Sequence, residues 1–217
     1  MTKNNPIAQL PLLSFAFFLS GGAGLIYQVA WQRILFSAFG IDLVSVTVIV
    51  SAFMLGLGIG AIAGGQIVDR HPQHALLLFA LSEATIGVFG FSSPAVLYWA
   101  SDAFFDQSYL VIGIVNFLLV LIPTSLMGAT LPILIVHLTR TWGNVGQSTG
   151  WLYSVNTVGA MVGALVTSFV LFNFIGLNAV IYIAATINIL VAASVYFLLS
   201  DRKGDRLRCC CRFRSAS

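Results

Sequence analysis

Charge is what this sequence has least of. Of its 217 residues 8% are charged and 59% hydrophobic, and the mean hydropathy is +0.97. A soluble domain carries roughly a quarter charged residues, so water is not the main solvent of this chain. Cysteine is nearly absent, and its three copies, Cys209, Cys210 and Cys211, are adjacent. Neighbours that close make poor structural disulfides, and a cytoplasmic setting would keep them reduced. Histidine is confined to His71, His74 and His137, whose spacing builds no metal site. A Gly-rich nucleotide loop after a strand is missing too, and no cofactor is expected. The formal net charge of +3 gathers toward the C-terminus, which speaks to membrane orientation and not to a nucleic-acid partner.

What is present is length in apolar runs. A membrane-crossing helix needs roughly 20 apolar residues, and the chain offers six such runs, near 10–31, 43–68, 75–99, 109–138, 151–172 and 177–199. The expected fold is an all-α membrane protein, a six-helix bundle over residues 1–200 followed by a basic cytoplasmic tail over 201–217. No sizeable soluble domain fits beside the spans. The first run is not read as a cleaved signal peptide, because it stays apolar past Ser20–Ala23 through Trp31 and no polar mature region follows the small residues. The breaks between runs carry turn residues: Gly40-Ile41-Asp42, Asp69-Arg70-His71-Pro72, Ser101-Asp102 with Asp106, Thr141-Trp142-Gly143-Asn144 and Ile175-Gly176. Short breaks make consecutive helices antiparallel neighbours.

Basic residues set the orientation. With the N-terminus inside, Lys3, Arg70, Arg140, Arg202, Lys203, Arg206, Arg208, Arg212 and Arg214 fall inside and Arg33 alone falls outside. The positive-inside rule then predicts a multi-pass protein of the plasma (inner) membrane with both termini cytoplasmic. Trp31, Tyr98 and Trp99 are expected to anchor the outer interface, and Trp142, Trp151 and Tyr153 the inner one. The Arg-rich end suits an inner-leaflet anchor on anionic lipid, and acylation of Cys209 to Cys211 is a weaker alternative.

Several motifs carry the functional expectations. Gly56, Gly60 and Gly64 repeat at small-xxx-small spacing in span two, and Gly159 and Gly163 do so in span five. Such faces serve helix packing within the chain or a contact between subunits. The turn after span two, with Gly65, Asp69 and Arg70, resembles the cytoplasmic gate loop of major facilitator transporters, although His71-Pro72-Gln73-His74 replaces the usual basic run. Six spans would be half of such a transporter, itself a three-plus-three inverted repeat. Spans one and four, equivalent in that scheme, are expected to be broken, by Gly21, Gly22 and Gly24 and by Pro123, Gly128 and Pro132 respectively. Paired interruptions point to a transport site, the alternative being kinks that serve packing.

Intramembrane polar groups are few: Gln28, Glu83, Asn116, Asn156 and Asn188, with Arg33 and His137 nearer the span ends. Glu83 lies roughly 12 Å into span three, where a bare carboxylate costs several kcal/mol. It must be protonated, paired or open to water. That makes it a candidate for a proton or cation pathway with Arg33, Gln28 and Tyr27 as partners, or a neutral side chain hydrogen-bonded between helices.

Five blocks carry a more particular resemblance. They are 18–33 (FLSGGAGLIYQVAWQR), Ala52-Phe53-Met54 with the Gly-rich run to Gly65, Leu81-Ser82-Glu83, 126–132 (LMGATLP) and 153–160 (YSVNTVGA). Together they resemble the membrane domain of membrane-fused spermidine synthases, facilitator-like helices joined to a polyamine aminopropyltransferase. The resemblance implies a soluble synthase half with a nucleoside site and catalytic Asp residues, where this chain has 202–217. Aminopropyl transfer by the chain alone is therefore not expected, and no catalytic residue is assigned. Gln28 stands where the family often has Glu. The preferred expectation is a half-transporter that moves or senses a small solute, polyamine-related by resemblance, working as a homodimer or beside a separate synthase-like protein in the bilayer. The alternative is a membrane anchor or scaffold for such an enzyme.

Overall fold

The computed structural model describes the backbone of residues 10–40, 42–104 and 108–214, and Lys3, Ile41 and Asp106 lie outside the described residues. Among the described residues six helices are long and apolar enough to cross a membrane, and no strand occurs. They are α1 (Leu10–Phe39), α2 (Asp42–Arg70), α3 (Ala75–Ala103), α4 (Tyr109–Trp142), α5 (Val145–Phe174) and α6 (Leu177–Arg214). The protein is a multi-pass membrane bundle.

Helix ends follow local chemistry more than hydropathy. α1 passes the polar pair Gln32 and Arg33 and stops at Gly40, whose φ of 65° is left-handed and suits glycine. Gly143, at φ 70°, closes α4 by donating its N–H to the Thr139 carbonyl at 2.7 Å. Asn144 then caps α5, its Oδ1 accepting from the Gln147 N–H at 3.1 Å, so α5 begins six residues before the expected Trp151. The apolar span of α6 is Leu177–Leu199, as expected, but the helix does not end there. It runs through the expected tail to Arg214, because no proline interrupts it and Arg, Lys and Leu are good helix formers.

The expected breaks at Gly21, Gly22 and Gly24 and at Pro123, Gly128 and Pro132 are absent: α1 and α4 stay helical throughout. In α1 the glycines make room for a neighbour instead, and a Cβ at Gly21 would strike Asn156 of α5. In α4 hydroxyls bridge the proline region, Thr124 donating to the Val120 carbonyl at 2.9 Å and Ser125 to the Leu121 carbonyl at 2.7 Å. The irregular backbone lies elsewhere, in a π-helical turn at Thr167–Leu171 of α5.

Packing is pairwise and obeys an exchange. α2 lies along α4 as α1 lies along α5, α3 meets α4 as α6 meets α1, and α3 and α6 pair with each other. Swapping α1–α3 for α4–α6 reproduces this pattern, as a three-plus-three inverted repeat requires. One residue-number offset relates the parts in contact: Gly56 to Gly159, Gly60 to Gly163, and Gly22 to Ser125. A Cβ at Gly163 would strike the Gly22 carbonyl, and one at Gly60 the equivalent Ser125 carbonyl. The small-xxx-small faces are thus used for packing within the chain.

Two apolar clusters fill the bundle. One holds Tyr27, Trp31, Ile34, Phe53 and Leu97, and the other Phe17, Phe79, Leu134, Leu152 and Val195. Trp31, expected as an interface anchor, has no exposed surface. Its Nε1–H donates to Ser93 Oγ at 2.9 Å, and its ring stacks on Tyr27 at 4.9 Å. Indole is buried here because its one donor finds a partner. Trp99, Trp151 and Tyr153 are exposed, as interfacial anchors should be.

Candidate functional site

α1, α3 and α6 meet around Glu83. The α3 glycines allow it: Gly87, one turn on, lies against Ala185 and Ile189 of α6, and Gly90 lies against the Tyr27 hydroxyl of α1. Glu83 has no exposed surface. Ser20 Oγ donates to its Oε1 at 2.5 Å, and Asn188 Nδ2 donates to its Oε2 at 2.7 Å. Three helices are thereby tied through one carboxyl group, and among the buried described residues Glu83 is the one charged type.

The expected partners are arranged differently. Arg33 is exposed and sits over the Phe172 ring, 5.0 Å from its centroid, at the end of the π-helical turn. Along a continuous helix at about 1.5 Å per residue, Arg33 is roughly 20 Å from Ser20, and Gln28 roughly 12 Å. Neither is a direct partner of Glu83. Tyr27 does share the interior, but its buried hydroxyl has no hydrogen-bond partner. Asn116 is buried in α4, donating Nδ2 to the Ile112 carbonyl at 3.0 Å and leaving Oδ1 unpartnered. Asn156 is half-buried against Gly21, in the α1–α5 seam. Gly65 faces Pro132, with 4.0 Å between its would-be Cβ and the ring, and Asp69 and Arg70 are exposed at the end of α2.

Ser20 and Asn188 are the residues that reading the sequence did not place in the site. In the sequence Ser20 merely adjoins the expected break at Gly21, and Asn188 stands among intramembrane polar groups without a role. A depth argument would have found both. A buried carboxyl must be satisfied at its own level, and Ser20 and Asn188 are polar groups near the middle of spans that border α3. The cluster offers a carboxyl, a hydroxyl and an amide in a dehydrated setting, which is chemistry for holding a proton or fixing helix positions. Among the described residues no group of three or more His, Cys, Asp or Glu side chains could hold a metal ion.

Comparison with known proteins agrees with the architecture. The chain is 29% identical over 183 residues to a polyamine aminopropyltransferase of Mycobacterium tuberculosis (strain CDC 1551 / Oshkosh), covering 81% of this chain and 33% of that protein. A polyamine aminopropyltransferase of Corynebacterium efficiens is 28% identical over 85% of this chain and 34% of its own length. Polyamine aminopropyltransferase 1 of Streptomyces coelicolor is 27% identical over 90% of this chain and 35% of its own. The chain spans about a third of the length of the curated relatives it matches. No solved structure matches. The family model of the Major Facilitator Superfamily matches residues 12–208. With that match covering nearly the whole chain, and with helices that exchange as two sets of three, the chain belongs to the Major Facilitator Superfamily.

Proposed function

We propose that the chain is a half-transporter module that moves a small cationic solute of the polyamine class across the plasma membrane, completed by a second copy of itself. The observation that carries this reading is the exchange symmetry together with the flank it leaves uncovered. In their most apolar windows α5 is 17% and α2 28% buried, against 44% for α3 and for α6. The equivalent helices of the two repeats are therefore the open ones, on a unit that forms half of a facilitator. A second unit laid against them would cover apolar surface such as Met54, Ile62, Met161 and Phe169. Both termini are read as cytoplasmic from the distribution of Arg and Lys, and the polyamine class comes from the names of the relatives.

Purified protein reconstituted in vesicles should take up labelled putrescine or spermidine, and cross-linking should trap a dimer through α2 and α5. Vesicles that stay impermeable to both amines at any imposed gradient would remove the reading.

A second reading has its own support. The relatives are named as enzymes and are about three times as long as the stretch they share with this chain, and Glu83 has no exposed surface. On that reading the helices anchor a separate aminopropyltransferase and transport nothing. The enzyme should then co-purify with the chain, while uptake stays at the level of empty vesicles. Neither reading gives the helices aminopropyl transfer. The chain alone is expected to leave putrescine and decarboxylated S-adenosylmethionine unconverted.

A further inference from the structure

The Glu83 cluster is built to hold its carboxyl in two forms. An isolated carboxylate this far from water costs several kcal/mol, and two neutral donors offset only part of that. A bound metal ion fits poorly. Both carboxyl oxygens already meet donor atoms, at 2.5 and 2.7 Å, and one of those atoms is the Asn188 Nδ2, an amide nitrogen that ligates no cation. A proton asks for less, needing one carboxyl oxygen and one acceptor. Ser20 Oγ accepts as readily as it donates. Asn188 Oδ1 is buried and has no hydrogen-bond partner, and turning the amide over brings it to face Oε2. The same three side chains therefore satisfy the anion and the acid without any backbone movement.

We infer that Ser20, Glu83 and Asn188 form a proton-binding site where α1, α3 and α6 meet, in which one of the two partners, the serine hydroxyl or the asparagine amide, turns from donor to acceptor for the new carboxyl O–H while the other goes on donating to the second carboxyl oxygen. The step balances simply: one O–H bond of a hydronium ion breaks, one O–H bond forms on Glu83, and a water molecule is released.

Among the described residues, other titratable groups on the surrounding helices lie apart from the cluster. α1 contributes Tyr27, whose hydroxyl packs beside Gly90, and Arg33, held over Phe172. α3 contributes exposed Asp102 and Tyr98 toward its far end, and the α6 tyrosines Tyr182 and Tyr196 are exposed. The Tyr27 hydroxyl, unpartnered beside Gly90, lies two helical turns along α3 from Glu83.

Infrared difference spectra of the full chain in lipid nanodiscs, recorded across a pH titration, test the site. The wild type should show a protonated-carboxyl C=O band that grows and fades with pH, and Glu83→Gln should abolish it. Ser20→Ala and Asn188→Leu should keep the band but shift its frequency, and should move its midpoint by about one pH unit, ~1.4 kcal/mol. A titration with no component lost in Glu83→Gln overturns the inference. So does a Glu83 band that neither Ser20→Ala nor Asn188→Leu alters, an arm that still decides if Glu83→Gln fails to fold. The measurement uses no solute. Impermeable vesicles would remove the transport reading and leave the site standing, whereas a silent carboxyl would remove the site even if amines cross.

Discussion

Where α2 meets α4, close approach is made by Gly56, Gly60 and Gly64 against Thr124, Ser125 and Ala129. Where α5 meets α1, it is made by Gly159 and Gly163 against Phe18 and Gly22. Under one residue-number offset Gly60 against Ser125 and Gly163 against Gly22 are the same contact, yet the two seams differ at their ends. Gly64 keeps α2 regular against Ala129, while its equivalent in α5 is Thr167, whose hydroxyl donates to the Gly163 carbonyl at 2.7 Å as the π-helical turn begins. The polar cluster is one-sided as well. Ser20 corresponds to Pro123 and Glu83 to Thr186, an exposed residue bonded to its own helix. The repeats thus share their packing and divide their chemistry. Backbone approach is a steric demand that both repeats must meet, whereas one buried carboxyl is enough for one proton.

The comparison can be broken most forcefully at the seams. Gly60→Ala and Gly163→Ala each push a methyl group into a partner carbonyl, and each should cost about 3 kcal/mol in denaturant unfolding from micelles. Costs that differ by more than about half between the two would mean that the seams are not equivalent. Next in size is Glu83→Ala, which strands the Ser20 and Asn188 donors and should cost roughly 2–3 kcal/mol, while Thr186→Ala should stay within about 0.5 kcal/mol. Equal losses would erase the division of chemistry. Smallest is Gly58→Ala. No atom lies within 4 Å of its would-be Cβ, so folding should hold or gain up to about 1 kcal/mol from helix propensity. A loss of dimer cross-linking in that variant, with folding intact, would place a second copy on this face of α2.

Sequence alone determined the solvent, the number of crossings and the family. These follow from hydropathy summed over long windows, because dehydrated peptide groups must bond within their own helix and a run of apolar residues records that demand locally. The identity of Glu83 as the deep carboxyl was equally legible, since one acid in a long apolar run has no other explanation. What only the tertiary structure decided is which groups meet. Glycines at 21, 22, 24 and 128 look the same in sequence whether they bend a helix or admit a neighbour. The difference appears only when Asn156, Met127 and Leu57 arrive from other helices. Arg33 was an electrostatically reasonable mate for Glu83 until the unbroken rise of α1 carried it to the far end, over Phe172. Ser20 and Asn188 are far apart in the chain and become the partners of one carboxyl because three helices cross at its depth, a distance that no local pattern records.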